Sequence, residues 1–220
     1  MSQQGKHKDG LQSDGFTIVE LLVATVVFST VLVVITAGVM YFTRNYYASV
    51  NRSKVQNTAR SIVSSISQGV QFTGVAIATT DTTTSSNPDS SGVTYFCTGG
   101  KLYAFRAGQK YSGNTATQAD PGLYVVPQPT GCAPLASTGY NNPLGQQLLG
   151  PKMRIGSLTL KNVGSQLYSI SLTLAYGDDD LLTGTGSATR CISQAGSQFC
   201  AVSALNTTVQ RRLQDGQLGQ

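Results

Sequence analysis

The only glutamate of the chain, Glu20, stands in its most apolar stretch, within Gly15-Phe16-Thr17-Ile18-Val19-Glu20-Leu21-Leu22-Val23-Ala24. A carboxylate near the end of a spanning helix is disfavoured by roughly 2.5 to 3.5 kcal/mol at full membrane depth and by less near the interface, so it needs a polar or cationic partner. An amine meeting it across packed helices, with no water to compete, would fix registry more than it would add net stability. The plainer alternative is a carboxylate hydrated at the membrane surface and favoured by the positive end of the helix dipole.

The other residues with chemical potential lie further along. Cys97, Cys132, Cys191 and Cys200 form no C-x-x-C pair, and an even count in an exported domain reads as two disulfides. Of the three pairings the count allows, Cys97–Cys132 with Cys191–Cys200 is favoured because each bond closes a local loop. A four-thiolate zinc site is the rival, and it lacks the close cysteine pairs such sites use. Asp178-Asp179-Asp180 offers oxygen ligands for calcium, but the spacing matches no defined calcium loop, and a solvated turn after a strand is the simpler reading. Gly184-Thr185-Gly186 is a loop without a phosphate-binding pattern around it, and Asn51-Arg52-Ser53 and Asn206-Thr207-Thr208 are formal glycosylation acceptors. Serines are many, yet none sits in a G-x-S-x-G elbow, and the one histidine, His7, lies before the apolar stretch. The expectation is therefore no enzyme and no cofactor.

These groups must be positioned by two very different regions of a 220-residue chain. From Leu21 to Thr43 there is no charged residue over 23 positions. A helix of that length, at about 1.5 Å per residue, crosses a hydrocarbon core of roughly 30 Å. A secretory signal would be shorter and end at small residues, whereas this run leads into Tyr41, Phe42, Tyr46 and Tyr47, which suit an interfacial belt. Past Arg44 the helical period continues through Val55, Ala59, Ile62, Ile66 and Val70, with Lys54, Gln56, Asn57, Arg60, Ser64 and Gln68 between them. One helix from Phe16 to about Phe72 is predicted, the second half amphipathic and the first half needing lipid or other copies of itself.

Residues 79–92 are a Thr/Ser/Asp/Pro/Gly tract that reads as a loop. Short β-type runs follow at Val93–Cys97, Leu102–Arg106 and Leu123–Val126. A hairpin is predicted from Leu158 and Leu160 through the turn at Asn162–Ser165 to the alternating run Tyr168–Tyr176, and Cys200–Val209 is expected to close the sheet. Helix first and strands afterwards predicts an α+β fold, a long N-terminal helix packed on a C-terminal antiparallel β-sheet head. The net charge of +5 permits nucleic acid or anionic lipid as partners. Arg44, Arg52, Lys54 and Arg60 are not interleaved with aromatics as a nucleic-acid surface would be, so a solvated face is the expectation.

The segment Gly15 to Ala24, preceded by a polar stretch with Lys6 and Lys8, resembles the start of type IV pilins and pseudopilins. Those carry a glycine, a phenylalanine or similar residue, and a glutamate five positions into the mature chain, opening a long apolar helix. The resemblance implies cleavage by a prepilin peptidase between Gly15 and Phe16, N-methylation of Phe16, a leader 1–15 removed, and 205 residues left. It implies a pairing of Glu20 with the new N-terminal amine. It also implies residence in the cytoplasmic membrane by one span, followed by transfer to a surface filament. The resulting division is 1–15 leader, 16–43 filament-core or membrane helix, 44–72 amphipathic helix, 73–92 loop and 93–220 β-rich head.

Many members have a proline midway along the apolar helix, where this chain has only Thr36 and Gly38. The expected role is a structural subunit, a minor pilin or pseudopilin. Its partners would be other pilin subunits, the peptidase, the assembly machinery and the membrane. The rival is a single-pass anchored binding protein displaying its head as an adhesin. An anchored enzyme is the third option, testable by screening the head for turnover.

Overall fold

The computed structural model describes residues 15–72, 92–127, 132–193 and 196–212. His7, the leader to Asp14 and nearly all of the Thr/Ser-rich loop lie outside them. The fold is α+β: among the described residues one α-helix, α1 (Ile18–Phe72), is followed by nine antiparallel strands. The chain divides into two compact units, Met1–Arg44 and Asn45–Gln220.

In the first unit α1 runs unbroken through Gly38. Its hydroxyls turn back on the helix itself: Thr25 donates to the Leu22 carbonyl (2.9 Å), Ser29 to Thr25 (2.7 Å), Thr30 to Val27 (2.8 Å), Thr36 to Leu32 (2.8 Å) and Thr43 to Val39 (2.8 Å). A helix that satisfies its own polar groups can stand in a medium that offers no hydrogen bonds. The apolar side chains from Phe16 to Phe42 are exposed, and by length and composition this helix can cross a membrane.

In the second unit α1 buries one stripe, Asn51, Val55, Ala59, Ile62, Ile66 and Val70, at steps of three and four residues that keep one face inward. That stripe shares a core with two sheets. The first contains β1 (Thr94–Thr98), β2 (Lys101–Phe105), β3 (Leu123–Pro127) and β4 (Gln146–Gln147), in that order. The second contains β5 (Met153–Gly164), β6 (Leu167–Tyr176) and β9 (Ala201–Gln210). A small ribbon of β7 (Leu182–Thr183) and β8 (Arg190–Cys191) stands apart. The sequence led us to expect one sheet closed by the last strand; β9 instead pairs with β6 alone, and β1–β4 form their own layer. Period-two patterning tells which side chains share a face, but not which strands become neighbours.

The first sheet is covered on both sides. Tyr103 and Phe105 face the helix core, while Leu102 and Ala104 of the same strand join a second cluster with Val93, Ala116, Tyr124, Val126 and Tyr140. Two-sided burial explains why Leu102–Phe105 and Leu123–Val126 read as continuous apolar runs rather than alternating ones. Tyr103 is fully buried, its ring stacked on Phe96 at 4.9 Å and its hydroxyl 3.1 Å from Ser65 on the helix. Burial raises its phenol above the usual value, and the Ser65 hydroxyl partly opposes that rise. The β1–β2 turn, Gly99-Gly100, has both residues at positive φ (61° and 69°), as a two-residue hairpin of this type requires. A Cβ on Gly99 would stand 2.7 Å from the Gly69 backbone, so two glycines permit this turn to touch the helix.

Cys97 is bonded to Cys132 and Cys191 to Cys200. The first bond ties the segment that carries Leu135 and Tyr140 to the back of the first sheet; the second ties β8 to the start of β9. The two bonds span 35 and 9 residues. Loop-closure entropy for such spans gives about 4 and about 2.5 kcal/mol. Replacing Cys97 and Cys132 by serine is thus expected to lower the head's unfolding free energy by about 1 kcal/mol more than replacing Cys191 and Cys200. Denaturant unfolding of the two double variants checks the order.

Candidate functional site

The helix start is built by a reciprocal cap. Thr17 precedes the first helical residue, and its hydroxyl oxygen accepts the Glu20 N–H at 3.2 Å. Glu20 reaches back, its Oε2 accepting the Thr17 N–H at 3.0 Å and the Thr17 hydroxyl at 2.9 Å. Thr-x-x-Glu at a helix start is the capping-box pattern, which satisfies donors the first turn leaves open. The sequence carried this signal in Thr17 and Glu20, and our reading of the residues used only the glutamate. Helix α1 consequently begins at Ile18, two residues later than expected, with Gly15 and Phe16 exposed and outside the helix before it.

Beside this cap runs an open groove of about 700 Å³ lined by Phe16, Val19, Glu20, Val23, Ala24, Val27, Phe28 and Val31. Its residues repeat at three- and four-residue steps, and Ala24 lowers the ridge between Glu20 and Phe28. The groove is apolar except for the Glu20 carboxylate, and the new amine that cleavage after Gly15 would create belongs to Phe16, next to the capping threonine. What this arrangement offers is one negative charge on an otherwise greasy helix face, fixed in orientation by the cap. Proton transfer has no second titratable partner there among the described residues.

The acidic run of the head lies on a turn after β6, with Asp179 and Asp180 exposed, and two of its carboxylates are paired. Asp178 binds Lys152 at 2.8 Å and Lys110 at 3.0 Å. Asp179 meets Arg154 at 2.6 Å and Lys110 at 3.8 Å. Arg154 is buried, and its guanidinium also donates to the Gly177 carbonyl at 3.0 Å. Three cations thus pair with Asp178 and Asp179, two of the three carboxylates considered for calcium, and among the described residues no cluster of three or more ligands is placed to hold a metal. The adjoining cavity of about 400 Å³ is lined by the same Arg154 and Asp179 with Phe105, Leu158, Thr185 and Thr189. This network was not legible in sequence, because its cations come from positions 25 to 69 residues away in the chain from the aspartates they bind.

Lys152, and then Lys110, hold the Asp178 carboxyl below its ordinary value, and Asp178 raises Lys152. The contribution of Asp178 to stability is therefore present above the unfolded carboxylate pKa, about 4, and is lost as pH falls through the lower folded value. That of Lys152 is present below about pH 10.4 and is lost as pH rises through its higher folded value. Asp178→Asn is expected to flatten both arms of a stability–pH profile, by a modest amount that shrinks with added salt because these side chains are partly exposed. Denaturant midpoints between pH 2 and 11 read this directly; superimposable wild-type and variant profiles would contradict it.

Of the remaining sequence candidates, Asn51 is buried, its side-chain amide donating to the Gln198 carbonyl at 3.1 Å, so in the folded chain it is closed to a glycan. Asn206 is exposed in the middle of β9. Gly184–Gly186 lies just after β7 and runs into a short 3-10 turn, Gly186–Ala188. Sequence reasoning passed over Phe199, an exposed aromatic on the turn before β9. No family model, curated protein or solved structure matches the chain.

Proposed function

We propose that the chain is a structural subunit of a type IV pilus-like filament, held in the cytoplasmic membrane by α1 until a prepilin peptidase cleaves it after Gly15, and then packed by the same helix into the filament core. One observation carries the reading. The exposed apolar stretch from Phe16 to Phe42 bears a single charged side chain, Glu20, held by its cap five positions from the proposed cut. An apolar helix of this length has two sites where it is stable, a bilayer and a bundle of its own kind. In the first, Glu20 sits at the interface. In the second, it meets the methylated amine of Phe16 from a neighbouring subunit, which sets the stagger between helices.

The head needs no chemistry of its own in this role, and we read the protein as no enzyme. Its two disulfides fit assembly outside the cytoplasm. Its partners are other pilin subunits, the peptidase and the assembly machinery. Co-expression with an active prepilin peptidase is expected to convert the precursor to a shorter form, while Gly15→Leu leaves it uncut. A precursor that stays intact beside a peptidase that processes a control pilin would overturn the proposal.

A further inference from the structure

Three exposed aromatic rings form a patch where the head begins. Tyr46 and Tyr47 lie on α1, three and four residues after the uncharged run ends at Thr43. Phe199 comes from the far end of the chain, on the turn Ser197–Phe199. Its ring centroid is 5.6 Å from that of Tyr47, which in turn is 6.0 Å from Tyr46. Tyr47 and Phe199 are each 45% exposed and Tyr46 57%.

The turn is held from several sides. The Asn51 amide donates to the Gln198 carbonyl, Cys200 is bonded to Cys191, and the Phe199 N–H donates to the Gly196 carbonyl at 2.8 Å. Presenting a large apolar ring to water on so constrained a turn gains nothing for the fold, since Phe199 is missing from the buried core.

We infer that Phe199, with Tyr46 and Tyr47, is a membrane-interface seat by which the head rests on the lipid headgroup region before assembly. This rests on the reading of α1 as the membrane span. A run of 23 residues covers about 34 Å at 1.5 Å per residue, slightly more than a hydrocarbon core of about 30 Å. Tyr47 lies one helical turn past its end, which is the depth of the headgroup layer, where aromatic rings with one wet edge are favoured. Phe199 touches Tyr47 and so shares that depth. Arg52 and Lys54, exposed on the next turns of the helix, supply the positive charge that anionic headgroups attract. The occupant is therefore lipid, met by rings that come from α1 and from the turn before β9.

The chain contains no tryptophan, so one substitution gives a unique emitter. The full chain is reconstituted in nanodiscs of mixed neutral and anionic lipid, with bromine on the acyl chains either near the headgroup or deep. Val33→Trp reports the span, and Phe199→Trp and Tyr47→Trp report the patch from its two sides. We expect Val33→Trp to lose most of its emission to deep bromines. Both patch variants should lose most of theirs to shallow bromines and be shielded from aqueous iodide. A quenched Val33→Trp beside patch variants open to iodide would overturn the seat and leave the span standing. An unquenched Val33→Trp would overturn the span and the seat with it.

Discussion

Glu20→Ala, placed in the full chain in a host that assembles type IV pili, is expected to leave membrane insertion and both disulfides intact while removing the protein from sheared surface filaments. The magnitude follows from what is left behind. Breaking a buried charge pair by deleting one partner costs about 3 to 5 kcal/mol, because the other charge stays desolvated. At about 1.4 kcal/mol per decade this is a loss of roughly a hundredfold or more at each subunit contact. The capping box supplies a control that separates two roles of the same side chain. Glu20→Gln keeps an oxygen able to accept the Thr17 N–H, since glutamine serves in capping boxes as glutamate does, yet it carries no charge. Glu20→Gln should therefore fail to assemble almost as fully as Glu20→Ala. Normal filament incorporation of Glu20→Gln would mean that the residue caps the helix and pairs with nothing.

The second large effect concerns the head. Ile66 is fully buried on the helix stripe that shares the core of both sheets. Ile66→Ala removes buried methyl and methylene groups and leaves a cavity, at a cost of about 2 to 5 kcal/mol. For a unit of this size each kcal/mol moves the midpoint by about 2 to 4 °C, so a fall of roughly 5 to 15 °C is expected in thermal unfolding followed by circular dichroism. Val33→Ala on the same helix is the comparison. Val33 is 69% exposed, and its truncation should leave the head's midpoint unchanged. Equal effects of the two substitutions would contradict the division of α1 into a core-facing half and a free half.

The helix and its buried stripe were legible because they depend on local period alone: Val55, Ala59, Ile62, Ile66 and Val70 were read as one face and are buried as one face. The same holds for the hairpin of β5 and β6, where Tyr168, Ile170, Leu172 and Leu174 alternate inward. Its outer face was expected in solvent, but Thr173 and Ala175 are buried too. Residues after Asp178 fold back over that side, with the 3-10 turn Gly186–Ala188 lying close to the Gly156 backbone. A fold-back of that sort leaves no periodic trace.

The two-residue strands β4, β7 and β8 are too short to show a period. At the candidate site the sequence pointed to Glu20 but not to its bond with Thr17. In the head it pointed to three aspartates without the lysines and arginine that bind Asp178 and Asp179. Charge partners distant in the chain are set by tertiary structure, and neither spacing nor composition encodes them.

The measurement that bears most directly on the proposal is the intact and N-terminal mass of the protein sheared from the surface of a host that makes it. The account predicts a chain beginning at Phe16 and carrying one added methyl group, with both disulfides formed. A chain still beginning at Met1 would contradict it and would identify α1 as an uncleaved anchor for a displayed binding domain.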